Sequence, residues 1–265
     1  MGVSRRDLLR GAGGLVLGFG MGGIAGLKNG MATEPQTGAP QLPWPYKKLD
    51  LDVVAEIGYE GYYKGACCYG AFEGIAGELR KEVGGPWATF PSTMMVFGEG
   101  GVAGISTLCG ALNGAAMTIF LATGGVEPEK KAKAFALIRE LFNWYEQERL
   151  PDYKPKNPKF QIVTSISRSP LCHVSVTNWC KVSKVKSFSK ERAERCAWIA
   201  ASVARHTAQM LNDNAAGVFE AAHTIPASEK TCRSCHDQGG MLENTRGMMD
   251  CGGCHFTPKT THPRI

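Results

Sequence analysis

Residues 231–255 read TCRSCHDQGGMLENTRGMMDCGGCH and hold two Cys-x-x-Cys-His units. Cys232, Cys235, Cys251 and Cys254 match the spacing of a four-thiolate zinc ribbon. They also match two c-type haem attachment motifs, each with two thioether-forming cysteines and an adjacent imidazole for the iron. A zinc ribbon has no need of a histidine after each pair, and here both pairs end in one, His236 and His255. The pattern therefore reads as two covalent haems, with His236 and His255 as proximal ligands. The zinc ribbon is kept as the alternative.

The N-terminus supplies the compartment. Ser4-Arg5-Arg6-Asp7-Leu8-Leu9 has the form of a twin-arginine export signal, followed by a glycine-rich apolar stretch from Gly11 to Leu27. Export by this route places the protein in the periplasm, with membrane contact only if the segment is retained. Residues 1–33 carry Arg5, Arg6, Arg10 and Lys28 against Asp7, a balance of +3, half of the chain's +6. The remainder is too small to suggest nucleic acid as a partner. Twin-arginine substrates are exported folded, often around a cofactor inserted in the cytoplasm, whereas haem c is attached outside. The combination points to a second cofactor and to the other six cysteines: Cys67, Cys68, Cys109, Cys172, Cys180 and Cys196.

The elements that must position these groups are mainly helical. Residues 34–50 form a proline-rich linker with Pro35, Pro40, Pro43 and Pro45. Helix is expected over 52–83, where Cys68, Phe72, Ile75 and Leu79 share an apolar face. Residues 102–122 carry no charge, but their glycine, serine and threonine content suits a buried helix rather than a membrane span. Helix is expected again over 127–149 and after a Ser189 cap, with Cys196 on the inner stripe as a buried thiol. Nothing after about residue 225 suggests a regular element. The expected fold is mainly α, a helical bundle over 51–222 with an irregular dihaem-binding tail over 223–265. Lys181, Lys184, Lys186 and Lys190 read as a solvated face.

The segments GACCYGAFEGIAGEL, GEGGVAGISTLCGALNGAAM and SPLCHVSVTNWC resemble the cysteine-rich redox proteins known by a C-GCAxxG-C-C pattern. Within them, the export signal and doubled terminal motif resemble the split-Soret cytochromes c. The resemblance implies a periplasmic homodimer with two haems c packed close together in each subunit and an iron–sulfur centre, taken as [2Fe–2S], in the helical part. Cys109, Cys172 and Cys180 match the family segments. Cys68 is chosen over its neighbour Cys67 for the fourth position, because it shares the face of Phe72 and Ile75. His206, His223, His173 and His262 are candidates for the distal face of each iron, the first two preferred for their positions. Electron transfer to redox partner proteins is the expected function; a haem-dependent reductase of a small molecule is the alternative.

Overall fold

The computed structural model describes residue 38, residues 40–253 and residue 255. The export segment, Cys254 and His262 lie outside the described residues. The body is an assembly of helices: α1 Leu51–Glu82, α2 Pro86–Thr89, α3 Gly110–Thr123, α4 Pro128–Gln147, α5 Cys172–Ser183, α6 Lys190–Ala215 and α7 Ala227–His236. A 3₁₀ segment, Ser92–Gly98, precedes α3 and a shorter one, Cys251–Gly253, ends the described tail. The two-residue strands β1 Arg149–Leu150 and β2 Ser165–Ile166 pair antiparallel. Among the described residues no helix is long and apolar enough to cross a membrane.

Helix α1 contains a sharp reversal. Gly65 and Ala66 leave helical geometry, Ala66 with φ 63°. The arm before them, 51–64, packs on the arm after them, 67–82. At the crossing a Cβ on Gly70 would stand 2.6 Å from the Gly58 carbonyl oxygen and 2.7 Å from the Tyr62 nitrogen. Only glycine allows backbones this close. The arms then meet α6 on small residues: Gly58 lies against Ala200 and Ala204, and Gly74 against Ala204. Asp50 caps the first arm by accepting from the Asp52 and Val53 amides. Phe72, Ile75, Leu79, Leu112, Ile119, Leu141, Ile199 and Val203 are fully buried and form the core where α1, α3, α4 and α6 converge.

Three features depart from the sequence reading. The uncharged stretch becomes helical only at Gly110, because residues 100–106 form a tight loop with Gly100, Gly101, Val102, Ala103, Gly104 and Ser106 all at positive φ. A twelve-residue helix, α5, stands between the strand pair and α6. The tail contains a regular element, α7, which carries the whole first Cys-x-x-Cys-His unit.

Candidate functional site

Three of the six spare cysteines line one cavity, and a fourth is buried behind it. The 100–106 loop brings two of them together. Cys109 N donates to Pro170 O at 2.8 Å and Cys172 N to Thr107 O at 2.6 Å, on either side of the Leu108–Leu171 bridge. Cys109 is thereby the N-cap of α3 and Cys172 the first residue of α5. Cys67 opens the second arm of α1 straight after the strained Ala66. Three thiols thus sit at helix N-termini, where the macrodipole favours negative charge. Cys196 comes from α6, with Arg192 Nη1 3.8 Å from its sulfur. Cys67, Cys172, Cys196 and Arg192 line a cavity of about 570 Å³ together with Tyr62 and the 99–104 loop. Cys109 is buried beside them.

The electrostatics of this group are those of thiols that need a counter-charge. Burial raises Cys67 well above the usual thiol range and lifts Cys172 to about 12, and charge on the neighbouring thiols raises both further. Burial likewise raises Cys109, while Tyr145 and Arg195 pull it the other way. Backbone amides of Gly100 and Leu112 favour charge on Cys67 and Cys109. Metal binding displaces such protons and relieves the mutual repulsion. Among the described residues no three His, Cys, Asp or Glu side chains converge tightly enough for a single metal ion. Three thiols lining a cavity and a fourth buried behind it, with arginines and amides nearby, are a donor set of the kind that iron–sulfur clusters use.

The structure divides the expected ligand set. Cys109 and Cys172 lie in the group. Cys68 is fully buried one position round the helix from Cys67, beneath Gly98; like Cys109 it does not line the cavity, and burial, then charge on Cys109, raises its pKa. The apolar face it shares with Phe72 is the core face, and the reversal at Ala66 turns Cys67 toward the cavity instead. Cys180 is eight residues from Cys172 on α5, a rise of about 12 Å, and none of the clustered thiols responds to it. Cys196, expected to be a buried thiol, is half-buried and lines the cavity.

The tail folds back on itself. Leu242 N donates to Cys235 O at 2.9 Å and Thr245 N to His236 O at 3.0 Å. Glu229 on α7 then accepts from Cys251 N at 3.0 Å. Cys232 is close enough that its charge helps raise Cys251, after burial and Glu229. The two motifs therefore face each other across the turn. His236 Nδ1 lies 2.7 Å from Asn244 Oδ1, a contact that orients an imidazole to ligate through Nε2. His255 N bonds to Cys251 O at 2.8 Å, closing the second motif on itself.

Helix α4 anchors this tail. Asn143 and Gln147 donate to the His223 and Thr224 carbonyls at 3.1 and 3.0 Å, and Glu146 accepts from Asp250 N at 3.4 Å. The remaining histidines divide sharply. His206 on α6 stacks flat on Trp144, ring centroids 3.9 Å apart, and its buried Nε2 has no hydrogen-bond partner. Burial lowers its pKa to about 4, so the ring is neutral with a lone pair to give. His223 lies near it but is bracketed by Glu140 at 2.6 Å and Glu148 at 3.2 Å. Burial works against its charge, yet the two carboxylates raise its pKa overall. Its nitrogens are engaged as donors to the two acids. His173 is elsewhere, at Ser106 O beside the thiol cavity. The unpartnered Nε2 makes His206 a candidate nitrogen ligand for a haem iron.

A family model described as "Putative redox-active protein (C_GCAxxG_C_C)" matches residues 67–210, beginning at Cys67. The curated split-Soret cytochrome c of Desulfovibrio desulfuricans (strain ATCC 27774) is 35% identical over 281 aligned residues, which cover 100% of this chain and 99% of that one. A solved structure of the split-Soret cytochrome c from Desulfovibrio desulfuricans ATCC 27774, described as having a novel iron centre, superposes with a TM-score of 0.74. It is 35% identical and covers 83% of this chain and 93% of its own. The chain belongs to the C_GCAxxG_C_C family of redox-active proteins and, within it, to the split-Soret cytochromes c.

Proposed function

We propose that the protein is a periplasmic electron carrier with two haems c and one iron–sulfur cluster in each subunit. The observation that carries this reading is that one helix, α4, meets both groups of cysteines. Tyr145 of α4 touches Cys109, while Glu146 of α4 holds the tail at Asp250. Haem c and iron–sulfur groups supply one-electron exchange when bound. Cys232 with Cys235, and Cys251 with Cys254, would form the thioethers. His236 and His255 would ligate from the proximal side, and His206 is the best-placed histidine for a distal face. Cys67, Cys109, Cys172 and Cys196 would hold the cluster, which we take as [2Fe–2S].

The contact between the motifs supports packing the two haems against each other. The tail itself offers little apolar cover, since Met241, Met248 and Met249 are all exposed. A homodimer would supply the rest and would let His206 of one subunit reach a haem of the other. Export by the twin-arginine signal fits insertion of the cluster before transport and attachment of haem after it. The exported protein tests this reading. Denaturing mass spectrometry is expected to show two haem masses on the chain. Iron should exceed haem, with acid-labile sulfide present, and the Soret band should be split. His206→Ala should open one iron to carbon monoxide in the reduced protein. A colourless protein with one zinc would refute the proposal.

A further inference from the structure

We propose that Arg195, Ser175 and Tyr145 form a buried hydrogen-bond relay that ends on Cys109 Sγ and raises the reduction potential of the iron–sulfur centre. The relay rests on the cluster reading above and adds residues that do not ligate. Arg195 Nη2 donates to Ser175 Oγ at 2.7 Å. Ser175 Oγ and Tyr145 Oη are 2.8 Å apart, and Tyr145 Oη donates to Cys109 Sγ at 3.3 Å. The direction of the chain is fixed at both ends. A guanidinium can only donate, so it occupies an acceptor site of Ser175. Tyr145 spends its single proton on the sulfur. The serine proton is left for the Tyr145 oxygen. Each donor is thereby polarised by the one behind it, back to a full positive charge.

The surroundings give that charge no carboxylate partner; besides the relay, Cys196 is its other thiol neighbour. Arg195 is 2% exposed, Tyr145 0% and Cys109 6%. Among the described residues no carboxylate pairs with Arg195, and its Nε has no partner. The adjacent acid, Glu194, is turned away and is held by Tyr59, Tyr63, Trp198 and the Lys159 amide. An isolated buried charge is costly unless compensated. The relay it heads ends on Cys109 Sγ, where a thiolate would supply that compensation. Thiolates bound to iron supply lasting negative charge at that position, whereas neutral thiols do not. When one electron enters the centre its negative charge grows by one, and a donor aimed at a ligand sulfur stabilises the more negative state. Hydrogen bonds to the sulfurs are among the determinants of cluster potential.

The test is redox titration of the full exported protein, following the cluster by electron paramagnetic resonance and the haems by visible absorption. Tyr145→Phe removes the terminal donor while keeping the ring. Its cluster potential is expected to shift downward, with haem potentials unchanged and non-haem iron retained. Ser175→Ala should shift it in the same direction. Arg195→Lys, which keeps the charge, should shift it less than Arg195→Gln. If the arginine variants do not fold, Tyr145→Phe decides alone. A lowered melting temperature with an unmoved cluster potential means that the residues are only structural, and the relay is refuted. A wild-type protein without non-haem iron or labile sulfide refutes the cluster reading and the relay together.

Discussion

The crossing of the two α1 arms makes a quantitative prediction for Gly70→Ala. In an unobstructed helix interior this change favours folding by about 1 kcal/mol. Here the new methyl would meet the Gly58 carbonyl oxygen at 2.6 Å and the Tyr62 nitrogen at 2.7 Å. Ordinary contact begins near 3.4 Å, so the arms must part by roughly 0.8 Å. The obstacles are backbone atoms, which cannot rotate away as a side-chain tip does. Overpacking of this kind costs about 1–3 kcal/mol, and a backbone clash belongs at the upper end. The net expectation is a loss of about 2 kcal/mol, or ~4–8 °C in melting temperature for a chain of this size. Gly70 stands three residues after Cys67, so parting the arms also displaces that thiol. Non-haem iron should fall while haem content holds. Gly77→Ala is the matched control. Its nearest obstacles are the Glu73 carboxylate oxygen at 3.3 Å and Ile57 Cγ2 at 3.7 Å, so it should be neutral or stabilising. Thermal unfolding and iron analysis of the two variants decide the matter. A Gly70→Ala protein as stable as Gly77→Ala, with its full iron, would show that the arms are not in backbone contact.

Ligand choice at the cavity is tested by serine replacement. Cys196→Ser and Cys67→Ser should each lower non-haem iron, while Cys180→Ser and Cys68→Ser should leave most of it. The reverse ranking would restore the set expected from sequence. Docking of the tail should depend on pH. Burial first, and then mutual repulsion with the acids around Asp250, raises Glu146 and Glu229 to about 7 in the folded protein. A carboxyl that binds its proton more tightly when folded stabilises the docked state fully below about pH 4.5, and that contribution is lost as pH rises through 7. Once corrected for intrinsic rates, amide exchange in 227–251 should be at least ~10-fold less protected at pH 8 than at pH 5.5, and Glu146→Gln should flatten the difference. Equal protection at both pH values counts against it.

The doubled Cys-x-x-Cys-His was legible because its chemistry is local, with ligands set by adjacent residues. The helical class was legible because Phe72, Ile75, Leu79, Ile138 and Val203 repeat at helical spacing. The cluster site was legible only in part, because its members come from four elements and their aim depends on backbone geometry. Ala66 carries no sequence signal for its positive φ, and the apolar stripe from Cys68 to Leu79 lies wholly in the second arm. A reader of that stripe chooses Cys68. The bridge at Leu108 and Leu171 that sets Cys109 beside Cys172 is a long-range pairing, invisible to periodicity. Cys196 shares a stripe with Ile199 and Val203, but it sits where α6 leaves the core and meets the cavity. Helix α7 was hidden by the glycines that follow it, although Glu229 and Lys230 are good helix formers.

Helix α4 has a kinetic consequence. Neighbouring residues on it, Tyr145 and Glu146, touch Cys109 on one side and the tail on the other. The same rod presents Trp144 to His206. An electron tunnelling between two buried centres responds steeply to the width of the barrier and to its fluctuations. In the proposed carrier, helix α4 would bridge the barrier between the cysteine cavity and the tail. Motions of the exposed tail would then alter its encounters with outside partners without modulating the exchange within the subunit. In the proposed carrier, internal and external transfer would then be separable rates, one set by the interior of the helix bundle and the other by whatever meets the surface.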